Sequence, residues 1–129
     1  MIYVKAVGLS YELSGAETGT NADIKISKGD VLKFDLDVGG HRFWIKTVQG
    51  AGTDNAVSSG ISGVGQGQTS GLLIWDTSKV MEGTYYYQCQ YHENMFGRII
   101  VAAKTGNTIF EINVSYYPII QLIIISMPS

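Results

Sequence analysis

In residues 30–38, DVLKFDLDV, apolar and charged positions alternate from Leu32 to Val38. Leu32, Phe34, Leu36 and Val38 fall on one side, and Lys33, Asp35 and Asp37 on the other. A period of two belongs to a strand with one face buried and the other in water. Just upstream, Ile24 and Ile26 alternate with Lys25 and Ser27, and Lys28-Gly29-Asp30 supplies a turn. Four further β-rich runs follow: FWIKTV (43–48), GLLIW (71–75), TYYYQC (84–89) and GRIIVAA (97–103), parted by clusters of Gly, Ser, Asn and Asp. Helical periodicity is nearly absent. Short strands punctuated in this way predict an all-β sandwich or barrel. In TYYYQC the same alternation points Tyr85, Tyr87 and Cys89 inward and Tyr86 and Gln88 outward.

Two stretches break the pattern. Residues 50–71 are rich in glycine and serine and read as a flexible surface connection. A phosphate cradle is excluded there, because no helix start follows and no GK[ST] is present. The other is the C-terminal stretch, TIFEINVSYY followed by a proline and IIQLIIIS. It is β-prone and too apolar to stand alone in water. It reads either as a contact with a partner or a second copy through residues 116–127, or as an extra strand over the sandwich. The chain therefore divides into a sandwich over 1–103 and an apolar extension over 104–129.

The totals bound the function. A chain of 129 residues builds one core. Nine Lys and Arg are scattered at a net charge of −2, which makes no basic stripe for nucleic acid. The longest apolar run, 119–127, is interrupted by Gln121 and far shorter than the roughly 20 residues of a membrane-spanning helix. The opening MIYVKAVGLSYELSG lacks a basic region followed by an apolar run, so no secretory signal is expected. No carboxylate pair and no nucleophile–base set stands out, and enzymatic chemistry is not expected.

The one cysteine decides the rest. Cys89 cannot close an internal disulfide, which leaves packing, reactivity or metal binding. It ends a strand, with His92 three residues on and Met95 three beyond that. Thiolate, imidazole and thioether within seven residues suit copper better than calcium or magnesium. The only other histidine, His41, follows the strand ending at Val38 across a Gly-Gly turn. It reaches the same end of the sandwich if that strand neighbours the one ending at Cys89. Taken singly, a buried cysteine is a small hydrophobe, a histidine a hydrogen bonder and a loop methionine packing. The joint pattern H…C-x-x-H-x-x-M at a strand end reads as a metal site.

That pattern resembles the blue-copper ligand set of the cupredoxins, with the short C-x2-H-x2-M spacing seen in amicyanin. The resemblance implies a Greek-key β-sandwich with His41, Cys89 and His92 as trigonal copper ligands and Met95 as the long axial one. KISKGDVLKFDLDVGGHRFWIKTVQGAGT and GTYYYQCQYHENMFGRIIV are also similar to plastocyanin-like modules of marine-phage structural proteins, over roughly residues 11–102. From these likenesses the expected function is a mononuclear type 1 copper site, Cu(I)/Cu(II), able to transfer one electron. The alternative is a virion decoration or attachment module whose metal is structural or vestigial. A copper carrier or sensor is a third, weaker reading. Expected partners are the copper ion and a redox partner or virion proteins. The expected location is the virion or host cytoplasm rather than the periplasm. One position departs from the family: the residue after the first ligand histidine, often Asn or Pro, is Arg42. Its cation would raise the reduction potential, pair with Glu93 or face solvent.

Overall fold

The computed structural model describes residues 1–104; residues 105–129, and with them the docking or extra-strand role expected of 116–127, lie outside the described residues. Ten strands run in chain order: β1 (Ile2–Val7), β2 (Ser10–Gly15), β3 (Gly19–Thr20), β4 (Ile24–Ser27), β5 (Val31–Asp37), β6 (Phe43–Lys46), β7 (Ile61–Gly63), β8 (Ser70–Asp76), β9 (Gly83–Cys89) and β10 (Phe96–Ala102). A 3₁₀ turn at Thr77–Lys79, capped by the Asp76 carboxylate on the Ser78 amide, is the one helical piece among the described residues.

The strands form two mixed sheets, one ordered β3-β2-β1-β5-β8-β7 and the other β4-β10-β9-β6. Most pairs are antiparallel, but β1 lies parallel to β5 and β10 parallel to β4. The chain crosses from one sheet to the other after β3, β4, β5, β6 and β8. The all-β sandwich expected from the alternation is present. In β5 every second residue is buried, with Leu32, Phe34, Leu36 and the following Val38 in the core. Phe34 meets Phe43 of the facing sheet at 5.3 Å between ring centres, and Phe43 lies against Tyr87 at 5.7 Å. Such contacts add to the area each ring buries. β1 and β2, which no sequence signal marked, place Ile2, Val4, Tyr11 and Leu13 in the same core.

The glycine-rich stretch 50–71 is not a bare surface connection. It contributes β7 and lies along the free side of β6. Gly67 N donates to Phe43 O and Phe43 N to Gln68 O, while Val57 N donates to Ile45 O and Thr47 N to Asn55 O. The Gln66 carboxamide acts as a piece of strand: Oε1 accepts from Ile45 N at 2.8 Å, and Nε2 donates to the carbonyls of Ile45 and Val57. An edge that would otherwise offer unpaired amides is thereby closed.

Candidate metal centre

His41 stands in the connection between β5 and β6, just past the Gly39-Gly40 turn, where its amide donates to Val38 O. It reaches Cys89 by a route other than the expected one. β5 and β9 belong to different sheets, and the neighbour of β9 is β6, with Phe43 paired to Cys89. Two residues before Phe43, His41 therefore lies beside the end of β9. Gln90 N donates to Arg42 O, which closes the ladder at this point.

The loop carrying His92 and Met95 turns tightly from β9 into β10. Cys89 N donates to Met95 O at 2.9 Å and Met95 N to His92 O at 3.2 Å. Cys89 is fully buried and Met95 is 1% exposed, whereas His41 and His92 are half-buried. The sulfur faces Nδ1 of both imidazoles, at 3.5 Å from His41 and 3.5 Å from His92. The ring centres of the two histidines are 5.1 Å apart. Ligating atoms of His41, Cys89 and His92 all lie within 4.8 Å of one another. An ion about 2.0 Å from nitrogen and about 2.3 Å from sulfur sets the S···N edge at about 3.5–3.7 Å between tetrahedral and trigonal angles. The donor set fits a thiophilic transition ion in size and in chemistry.

Tyr11, fully buried on β2, supports the first histidine. Its hydroxyl donates to His41 O at 2.8 Å. Burial pushes the phenol well above its ordinary value, and the neighbouring Cys89 sulfur raises it further, so the hydroxyl stays a donor. Arg42 does not pair with Glu93. Its guanidinium donates to Gly67 O at 2.8 Å, while the Glu93 carboxylate accepts from Ala51 N at 2.9 Å. The Arg42 side chain thus ties the glycine-rich stretch to the loop that carries His41.

Gln88 also departs from expectation. Its direction is outward, as alternation requires, yet it is fully buried. Residues 49–52 cross the outer face of the β9–β6 pair and cover it. The ammonium of Lys46, 1% exposed, donates to the carbonyls of Gly50 and Gly52 beneath the same strap. Alternation states which way a side chain points, not what later covers it, and no signal in the sequence marked Gln88 as buried.

No protein-family model matches this chain, and no curated protein matches it. Solved structures to which it is similar include a reduced Cu(I) form of an amicyanin variant, 22% identical over 78% of this chain and 80% of that one, with a TM-score of 0.43. A second Cu(I) amicyanin variant is 18% identical over the same shares, again with a TM-score of 0.43. A third, reduced amicyanin variant is 17% identical over those shares, with a TM-score of 0.40.

Proposed function

We propose that this chain binds one copper ion through His41 Nδ1, Cys89 Sγ and His92 Nδ1, with Met95 as the weak axial ligand, and passes single electrons. The observation that carries this reading is the sulfur facing two Nδ1 atoms at 3.5 Å each, at the buried end of a strand. Two imidazoles, a thiolate and a distant thioether are the blue-copper donor set. When bound, copper supplies a one-electron Cu(I)/Cu(II) couple. The chain's part is to hold the donors still. Tyr11 fixes His41 from the core, and the Cys89–Met95 and Met95–His92 main-chain bonds fix the loop. Burial of Cys89 keeps the thiolate from solvent and oxidants. His92, half-buried between exposed Tyr91 and exposed Glu93, is the edge at which a redox partner would meet the site. This role is that of an electron carrier, not an enzyme.

Resemblance to the marine-phage modules supports a setting in a phage structural protein, within the virion or in host cytoplasm during assembly. Mass spectrometry of purified particles tests that setting. The copper reading is tested by titrating the purified protein with Cu(II) beside Cys89→Ser. An intense thiolate-to-copper band, saturating at one equivalent and missing from the variant, is expected. Absence of both the band and any thermal shift with Cu(I) or Cu(II) would refute the site.

A further inference from the structure

The loop QYHENM between Cys89 and Phe96 has no proline and no internal lock beyond the Met95–His92 bond. A loop that must hold His92 in one place needs support from outside itself. That support converges on one buried carboxamide. Gln88 Nε2 donates to His92 O at 2.8 Å and to Glu93 O at 3.2 Å, with Cys89 O at 3.1 Å. Gln88 Oε1 accepts from Gln49 Nε2 at 3.1 Å and from Gly50 N at 3.2 Å. The orientation is forced: the flipped amide would set its oxygen against three carbonyls and its nitrogen against two donors. Both ends of the group are fully used. Strap and loop are further joined by Gln49 Nε2 on Glu93 O, by Ala51 N on the Glu93 carboxylate and by Gly52 N on Gln90 O.

We infer that Gln88 is the positioning residue of the ligand loop: through its carboxamide the 49–52 strap fixes the main chain at His92 and Glu93, and so the place of the His92 imidazole beside Cys89 Sγ. Gln88 touches no donor atom itself and acts through His92. Its effect at the metal rests on the copper reading above, whereas its effect on the strap holds for the metal-free chain. Groups that orient a ligand from behind are worth about 10–100-fold in metal affinity.

The test compares Gln88→Met with Gln88→Glu. Gln88→Met keeps length and burial but loses donor and acceptor. In the metal-free protein it should speed hydrogen exchange of the Gly50 amide by about tenfold or more, leaving amides of β5 and β10 unchanged. Titrated with Cu(II), it should lose about 10–100-fold in affinity, with altered copper hyperfine splitting and a shifted reduction potential. Gln88→Glu keeps the acceptor for Gly50 and loses the donors to the loop. It should therefore retain Gly50 protection and still alter the copper signature. Either variant folding with wild-type affinity, spectrum and potential overturns the inference, as does failure of both to fold, which would make Gln88 a folding residue only. If wild type takes up no copper, the copper reading falls, and Gly50 exchange in Gln88→Met still decides whether the carboxamide holds the strap.

Discussion

Replacing Gly97 by alanine tests whether the β9–β10 pair, from which the loop carrying His92 and Met95 hangs, is as tightly packed as its contacts require. Gly97 lies opposite Tyr87, and a Cβ built there would come within 2.2 Å of Tyr87 Cζ and Oη. Ordinary carbon contacts are about 3.5–4.0 Å, so the ring must retreat by more than about 1 Å. It has nowhere to go. Phe43 lies against it at 5.7 Å, nearly parallel, Tyr11 flanks it at 6.0 Å, and its hydroxyl donates to Ala22 O at 2.6 Å. Overpacking costs about 1–3 kcal/mol, and a buried hydroxyl pulled from its acceptor about 1–3 more. The lower chain entropy of alanine in the unfolded state offsets only about 0.4–1 kcal/mol. The net loss should be about 1–5 kcal/mol, or a fall in Tm of roughly 5–25 °C for a domain of this size. Urea unfolding of the metal-free protein, followed by tryptophan fluorescence, measures it. The same substitution in a Tyr87→Leu background, where Cζ and Oη are gone, should cost close to nothing. A Gly97→Ala midpoint within about 0.5 kcal/mol of wild type would show the packing argument to be wrong.

Three further outcomes are expected. Gln66→Ala leaves the buried Ile45 amide without its acceptor; it should cost about 1–3 kcal/mol in urea, and an unchanged midpoint would show that the edge of β6 needs no cover. Hydrogen bonding from Arg98 holds the Asp23 carboxyl below its ordinary value. A lowered folded-state pKa gives stability that is present above the ordinary carboxylate range and lost as pH falls through the folded value. The Tm gap between wild type and Asp23→Asn should therefore be small at neutral pH and shrink as pH falls below the ordinary carboxylate range, and a gap that persists undiminished in acid would refute the pairing. Truncation after Lys104 should leave a soluble, folded monomer that still takes up copper, as sedimentation and Cu(II) titration would show. A truncated protein that unfolds would make the extension part of the core.

The strands that alternate cleanly were legible in the sequence: β5, β8, β9 and β10 all fall within or close to the runs that announce them. So was the grouping of His41, Cys89 and His92, because a single thiol and two imidazoles leave few combinations. What was hidden depends on partners distant in sequence. β1 gains its place by lying parallel to β5, a pairing that no local period encodes. The glycine-rich stretch is bound to β6 through main-chain atoms and one glutamine, and neither gives a repeating signal. Gln88 obeys alternation and is buried all the same, since the strap over it comes from residues 49–52. The route by which His41 meets Cys89, through β6 rather than β5, required the sheet order.

The donors are unevenly spread along the chain, and that affects when they can act during folding. Cys89 and His92 are three residues apart, whereas His41 and Cys89 are separated by 48. An unfolded chain already carries cysteine, imidazole and thioether together, but bringing in His41 means closing a long loop at an entropic cost of about 3 kcal/mol or more. Closing that loop is the same event as pairing β6 with β9, so His41 joins Cys89 and His92 only when the sandwich is built. On the copper reading proposed above, the ion would hold the finished fold more tightly than the nascent one, and mass action would turn that difference into stability. The metal would thus discriminate between a completed sandwich and a chain still folding.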